Sequence, residues 1–151
     1  DCMKPLYIFD LDGTLALIEH RRPLVEGTNK DWRAFFAACV NDPPYVAVVE
    51  TLKMLFEAGC DIWVWSGRSD EVKQQTIDWF SRQHIAGAIS DFRMRAAGDH
   101  QPDEKLKAEW IASLCQLDRE RLVAIFEDRD RMVKLWRDNG IACFQVAPGA
   151  F

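Results

Sequence analysis

The sequence predicts one α/β domain, a doubly wound (Rossmann-like) parallel sheet with helices on both faces. Short runs that are apolar almost throughout alternate along the chain with amphipathic stretches of helical periodicity. Strands that are apolar on both faces are typical of parallel sheets, because helices cover such sheets on each side. The chain has 151 residues, the length of one domain, and we expect residues 1–151 to fold as a single unit.

Each predicted element follows from one of these two patterns. The strongly apolar runs predict strands at Leu6–Phe9, Ile62–Trp65, Leu122–Phe126 and Ile141–Val146, with a weaker strand near Ile89–Met94. The amphipathic stretches predict helices at about Val46–Ala58, Asp70–Gln83, Asp103–Cys115 and Arg131–Asn139.

Residues 16–45 interrupt the alternation of strands and helices. A short helical pattern lies there between turn-rich flanks, formed by Trp32, Phe35, Phe36 and Cys39. The segment is too short for a second domain, so we interpret it as a small lid beside the ends of the strands. Three alternatives stay open for its aromatic residues: they pack on the core, line the site or form an interface.

Charge and composition restrict the classes of partner. With 19 Lys and Arg against 24 Asp and Glu, the formal net charge is -5, so no broad basic surface for long nucleic acids is expected. No apolar run approaches the roughly 20 residues of a membrane span, which predicts a soluble protein without a membrane partner. The five cysteines are scattered and no signal peptide is visible, which favours reduced thiols in the cytoplasm.

Polar segments follow three of the predicted strands. They are Asp10–Leu15, Ser66–Arg68 and Glu127–Asp130. Because ligands of open parallel sheets bind beyond the carboxyl ends of the strands, we expect these segments to form one site. Crowded carboxylates repel one another, and a hard cation with oxygen ligands offsets that repulsion, so the pattern predicts Mg²⁺. Each segment taken alone is equally typical of a turn or a solvated run of charge.

A lysine is predicted to join this site because of its position on a helix. The apolar face of the helix near residues 103–115 is defined by Leu106, Trp110, Ile111 and Leu114. At about 100° per residue, Lys107 lies within that face and Lys105 lies opposite. A buried ammonium is costly unless it meets carboxylates or a phosphate, although a side chain reaching solvent past the helix end is the alternative. Asp103 precedes it on the same face and is expected to cap the helix, pair with Lys107 or reach the site.

These residues resemble the four ordered motifs of the haloacid dehalogenase superfamily of phosphohydrolases. The motif residues are Asp10, Asp12, Ser66, Lys107 and Glu127-Asp128, where the superfamily usually has Asp-Asp. Longer segments such as F-D-L-D-G-T-L-A, W-S-G-R and F-E-D-R-D-R-M-V-K-L-W-R are similar to the phosphatase domain of phage polynucleotide kinase-phosphatase. This resemblance covers nearly the whole chain. No G-x-x-x-x-G-K-[ST] loop occurs, so we expect no kinase domain in this chain.

The resemblance implies a role for each residue. Asp10 is the implied nucleophile, which forms an aspartyl-phosphate, and Asp12 is the implied general acid and base. The implied Mg²⁺ ligands are Asp10, Asp12 through its backbone carbonyl, Asp128, and Glu127 through water. Ser66 and Lys107 are implied to bind the transferring phosphoryl group. The resemblance implies that Arg21 and Arg68 assist substrate binding, and we expect Gly67 and Asp103 to bind substrate with them. His100 is expected to be a surface residue.

The substrate implied by the resemblance is a terminal 3′-phosphate on DNA or RNA. The acidic net charge favours a shorter ligand, so the alternative is a nucleotide or small-metabolite phosphatase. A phospho-receiver domain is a further alternative, since it also combines a doubly wound sheet with a phosphorylated aspartate, magnesium and a lysine. That class gives no reason for Asp12, which promotes loss of the phosphoryl group.

Overall fold

The sheet is the centre of the molecule. The computed structural model describes residues 4–151, and the expectation for Cys2 lies outside that range. Five parallel strands are arranged in the order β3-β2-β1-β4-β5. They are β1 (Leu6–Phe9), β2 (Asp61–Ser69), β3 (Ile89–Arg95), β4 (Leu122–Glu127) and β5 (Cys143–Gln145). The predicted parallel α/β sheet is therefore confirmed, with the weak run at 89–94 forming a full strand.

Helices cover both faces of this sheet. They are α1 (Trp32–Ala37), α2 (Val46–Glu57), α3 (Lys73–Arg82), α4 (Asp103–Ala112), α5 (Gln116–Arg121) and α6 (Asp130–Asp138). Successive residues of β1 point to opposite faces, and Phe9 belongs to an apolar cluster that includes side chains of α2 and α3. Ile8 belongs to a second cluster with α4 and α6. None of the helices within residues 4–151 is long and apolar enough to cross a membrane.

Two boundaries differ from the sequence predictions for local reasons. The helix predicted to reach Cys115 ends at Ala112, and α5 follows because the Cys115 Sγ accepts a hydrogen bond from the Asp118 backbone N–H at 3.4 Å. β2 continues to Ser69 with an irregular register between Ser66 and Ser69. The expectation that Ser66–Arg68 follows the strand was wrong, because Ser66 pairs with Met94 and pairing resumes at Ser69 with Arg95, so the segment lies within β2.

The two ends of the predicted lid, residues 16–45, lie next to each other. Short 3-10 helices at Arg22–Val25 and Ala38–Asn41 flank α1. The backbone N–H of Leu17 donates to the carbonyl of Pro43 at 2.8 Å, and that of Tyr45 donates to Leu15 at 2.8 Å. These hydrogen bonds hold both ends of the segment beside the carboxyl end of β1, and so place α1 over the polar strand ends.

Candidate active site

Three buried carboxylates, those of Asp10, Glu127 and Asp128, cluster at the carboxyl ends of β1 and β4. Asp10 and Glu127 also line a cavity of about 430 Å³. Asp10 follows β1 directly, Glu127 ends β4 and Asp128 follows it. One carboxylate oxygen from each lies within 4.8 Å of the others. The Thr14 hydroxyl lies 3.4 Å from Asp10 Oδ2 and 3.3 Å from Asp128 Oδ1. Of the three strand ends that the sequence predicted to converge, those of β1 and β4 therefore bring their carboxylates together.

Lys107 is the cation inside this carboxylate cluster. Its side chain is buried, and its Nζ lies 2.6 Å from Asp10 Oδ1 and 3.9 Å from Glu127 Oε1. Burial lowers the pKa of Lys107, but the negative charges of Asp10 and Glu127 outweigh burial and raise it. Lys105 is exposed, as its position on the opposite side of the helix predicts.

One lysine does not balance three buried carboxylates. Burial raises the pKa of Asp10 well above its usual range, and the charge of Glu127 adds to that effect. Burial and the neighbouring Asp10 charge raise the pKa of Asp128 to about 7. Burial also raises the pKa of Glu127. The donor set is made only of oxygen atoms, which is what Mg²⁺ prefers, and the excess negative charge gives a cation a physical reason to bind.

Glu127 is fixed by the turn that follows β4. Its Oε2 accepts hydrogen bonds from the backbone N–H groups of Asp128 at 3.0 Å and Arg129 at 3.4 Å. The indole N–H of Trp136 lies 3.5 Å from its Oε1. These contacts use the extra methylene of glutamate to fold the side chain back onto its own backbone.

Asp12 is held by two buried arginines. Arg21 Nη2 and Arg68 Nε each donate to Asp12 Oδ1 at 2.8 Å. Burial raises the pKa of Asp12, but Arg68 and Arg21 outweigh burial and lower it. Both guanidinium groups are fully buried and neither lines the cavity. In the structure both guanidinium groups contact Asp12, and the predicted role of Arg21 and Arg68 in substrate binding stays a prediction.

Asp42, a residue that the sequence analysis did not single out, holds both arginines from the other side. Its carboxylate accepts hydrogen bonds from Arg21 Nε at 2.8 Å, Arg21 Nη2 at 2.8 Å and Arg68 Nη2 at 2.9 Å. The indole N–H of Trp79 donates to its backbone carbonyl at 2.8 Å. Asp42 precedes Pro43, a pattern typical of an ordinary turn, so the sequence carried no signal of this role.

Gly13 is required by the geometry of the cluster. It has a φ of +82°, and a Cβ placed on it would lie 2.0 Å from Asp128 Oδ2. Only glycine fits there, because any side chain would displace a carboxylate of the site.

The remaining predicted residues surround the cluster. A Cβ on Gly67 would lie 2.5 Å from Asp103 Oδ1. Asp103 lines the cavity and pairs with Arg95 and, at 3.0 Å, with Arg129. The alternatives that Asp103 caps its helix or pairs with Lys107 were wrong, since Pro102 is the N-cap and the two arginines take both carboxylate oxygens. Ser66 is buried, and its hydroxyl accepts a hydrogen bond from the Arg68 backbone N–H at 3.1 Å.

The aromatic residues of the lid, Trp32, Phe35 and Phe36, all line the cavity, which is one of the three alternatives. Phe35 is buried, with the guanidinium of Arg21 4.3 Å from its ring centroid. Phe151 lines the cavity from the opposite end of the chain. His100 is exposed, as expected.

The fold and the site together define a phosphatase of the haloacid dehalogenase type. Its marks are an aspartate pair at the end of the central strand, a buried lysine and an acidic pair at the end of β4. The chain matches the family of polynucleotide kinase PNKP phosphatase domains over residues 4–151, and it belongs to that family.

Similar proteins place the same fold in larger assemblies. Chains from two structures of the Pnkp1/Rnl/Hen1 complex, one described as an RNA repair complex, are 27% and 26% identical, with TM-scores of 0.81 and 0.82. Each match covers 100% of this chain, and this chain spans 49% and 45% of the length of the two matched chains. A class C acid phosphatase from Bacillus anthracis shares the fold, with 15% sequence identity and a TM-score of 0.68. That match covers 98% of this chain and 68% of the phosphatase chain.

A curated relative comes from Autographa californica nuclear polyhedrosis virus and is named as a bifunctional polynucleotide kinase/RNA ligase. It is 28% identical over 130 residues, which are 85% of this chain and 17% of the viral protein. The chain therefore spans less than half the length of these polynucleotide-processing relatives.

Proposed function

We propose that this chain is a magnesium-dependent phosphomonoesterase that removes a terminal 3′-phosphate from DNA or RNA, with Asp10 as the nucleophile. The position of Asp10 is the observation that carries the proposal. Its carboxylate lies at the end of the central strand, on the floor of an open cavity, 2.6 Å from the Lys107 ammonium. The positive charge of Lys107 favours the ionised carboxylate and partly offsets the burial and the Glu127 charge that raise the pKa of Asp10.

The reaction takes two steps. In the first, a carboxylate oxygen of Asp10 bonds to phosphorus while the bond from phosphorus to the 3′-oxygen breaks, and Asp12 gives that oxygen a proton. In the second, Asp12 takes a proton from water, whose oxygen attacks phosphorus and releases inorganic phosphate and free Asp10. Lys107 and Ser66 are assigned to the phosphoryl oxygens, where they stabilise negative charge.

Arg21 and Arg68 are assigned to positioning Asp12. Their effect in the free protein is to lower the pKa of Asp12, which suits the second step, when Asp12 is a base. The first step requires a protonated Asp12. A phosphate dianion bound next to this carboxylate raises its pKa, so substrate itself favours the acid form.

The residues that would hold Mg²⁺ are the carboxylates of Asp10 and Asp128 and the backbone carbonyl of Asp12, with Glu127 acting through water. Glu127 suits this indirect role because its own backbone contacts fix it. When bound, the cation offsets negative charge on the phosphoryl oxygens.

The substrate class is proposed from the family and its relatives. The family is named for polynucleotide kinase, and one solved relative is described as part of an RNA repair complex. The net charge of -5 is consistent with binding of a strand end and not of a long duplex.

Phosphate release from four substrates tests this proposal. They are a 3′-phosphorylated oligonucleotide, its 5′-phosphorylated counterpart, and 3′- and 5′-mononucleotides. We expect highest kcat/KM on the 3′-phosphorylated oligonucleotide, loss of activity with EDTA and recovery with Mg²⁺. Asp10→Asn is expected to reduce release to background, while Asp138→Asn, at an exposed carboxylate paired with Lys134, retains activity. Retained activity in Asp10→Asn would remove the nucleophile assignment, and a preference for mononucleotides would favour the alternative substrate.

A further inference from the structure

Trp32 is unusually exposed for its residue type. Its relative exposure is 50%, and within residues 4–151 it is the one tryptophan classed as exposed among the six in the sequence. It begins α1, at the edge of the lid, and its ring packs edge-on against Phe35 with centroids 5.7 Å apart. A large aromatic surface in water is typical of a binding contact.

Trp32 stands between two cavities. It lines the catalytic cavity of about 430 Å³ and also a second cavity of about 530 Å³. Phe36, one helical turn later, is the other residue that lines both. The two rings therefore form a wall, with Asp10 and the catalytic residues on one side. Arg33 and His100 line the cavity on the other side.

Two exposed cations beside this wall suit a phosphodiester chain, although the second cavity is also lined by the carboxylates of Glu71 and Asp99. Lys30 lines the catalytic cavity and Arg33 lines the second cavity, and both are exposed. In the described chain, residues 4–151, neither side chain has an ion-pair partner within 4.0 Å. Other basic residues of the catalytic cavity are already engaged, such as Arg129 with Asp103. Exposed cations beside an aromatic plate are the combination by which proteins bind single-stranded nucleic acid, because every base has a face that can stack.

We propose that Trp32 is a base-stacking platform that makes the enzyme selective for a nucleic acid strand over a single nucleotide. The terminal nucleotide occupies the catalytic cavity with its 3′-phosphate at Asp10. The strand then crosses the wall, and the preceding base stacks on Trp32 in the second cavity, next to Arg33. Each cavity falls within the range of roughly 300–1,000 Å³ that small-ligand sites have. This inference rests on the proposed function and names the part of the substrate that the site distinguishes.

Three 3′-phosphorylated substrates isolate the stacking contact: a dinucleotide, the same dinucleotide without its first base, and the 3′-mononucleotide. For the unsubstituted enzyme we expect KM to rise about 5- to 100-fold when the first base is absent, the range that base–aromatic stacking covers. In Trp32→Ala we expect the same KM with and without that base. Trp32→Phe keeps an aromatic plate and is expected to retain part of the discrimination.

Phe144→Ala is the matched control, since Phe144 is 55% exposed on β5 and lines neither cavity, and it is expected to keep the full discrimination. Because Trp32 is half exposed, its removal is expected to leave the fold intact, which thermal unfolding of each variant checks.

Each outcome decides a separate question. An unsubstituted enzyme that hydrolyses no 3′-phosphorylated substrate would overturn the proposed function and this inference with it. Hydrolysis of all three substrates with the same KM, or full discrimination in Trp32→Ala, would overturn the inference and leave the proposed function standing. Loss of discrimination in Trp32→Ala with partial retention in Trp32→Phe would support it.

Discussion

Replacing Asp42 by asparagine tests the buried charge cluster that positions Asp12. The cluster holds two guanidinium groups, of Arg21 and Arg68, and two carboxylates, of Asp12 and Asp42. Asp42→Asn keeps the shape of the side chain and removes one negative charge. The buried guanidinium groups of Arg21 and Arg68 then share the single carboxylate of Asp12, and the His20 ring, 2.6 Å from Asp42 Oδ1, also loses a charged neighbour. Removing one partner of a buried ion pair costs about 3–5 kcal/mol, and we expect a loss of that size in the free energy of unfolding.

This loss is large enough to measure by thermal unfolding. At about 2–4 °C per kcal/mol for a domain of this size, Tm is expected to fall by about 6–20 °C. Asp78→Asn is the matched control, because Asp78 is exposed and its carboxylate accepts a hydrogen bond from Gln74 at 2.9 Å. Its effect is expected to stay within about 0.5 kcal/mol.

Activity provides a second measurement of the same substitution. If Asp42 holds the two arginines against Asp12, the acid–base function of Asp12 is impaired, and such functions contribute about 10²–10⁴-fold. At a temperature where the variant is folded, we expect kcat to decrease by up to about 10²–10⁴-fold, with a smaller change in KM. A free energy of unfolding within about 1 kcal/mol of the unsubstituted protein, together with an unchanged kcat, would refute the reasoning.

Two further substitutions test the site with paired controls. Lys107→Met is expected to lower kcat by about 10²–10³-fold, the usual effect of removing one donor that stabilises the transition state. Lys105→Met, at the exposed position, is expected to leave kcat nearly unchanged. Equal effects of the two substitutions on kcat would contradict the inward placement of Lys107. Gly13→Ala and Gly27→Ala both place a side chain at positive φ, at +82° and +78°, and each is expected to cost about 1–2 kcal/mol of stability. Only the new Cβ of Gly13→Ala would overlap the Asp128 carboxylate, so phosphate release should be lost in Gly13→Ala and kept in Gly27→Ala. Equal activities of the two variants would contradict the close approach of Gly13 to Asp128.

Hydrophobic periodicity along the chain was sufficient to predict most of the strands and helices. The strands β1, β2 and β4 were predictable because each has consecutive buried residues and so buries both faces. The inward position of Lys107 followed from the 100° step of a helix. The six-residue α5 was missed because it presents no apolar stripe, and its N-cap is a cysteine sulfur. The length of β2 was underestimated because Ser66–Arg68 is polar, while pairing with β3 continues past it.

The residues of the candidate site likewise include some that the sequence predicted and some that it did not. Asp10, Asp12, Glu127 and Asp128 were predictable because they stand next to strand ends, and the topology of a parallel sheet brings strand ends together. Arg21 and Arg68 were predicted to belong to the site, but their contact with Asp12 could not be inferred from spacing. Asp42 could not be predicted at all, since a single acid before a proline is typical of any turn.

The sequence by itself determined the α/β class, the order along the chain of the five strands and of the helices other than α5, and the residues of the carboxylate cluster. These depend on periodicity and on neighbours in the chain, both of which are written in the sequence. Only the tertiary structure decided that Asp42 balances two buried arginines, that Asp103 pairs with Arg95 and Arg129, and that Trp32 separates two cavities. Those relations join residues from distant segments, and their energies depend on burial and on distances of a few ångströms that arise only when the lid, the strands and α4 pack together.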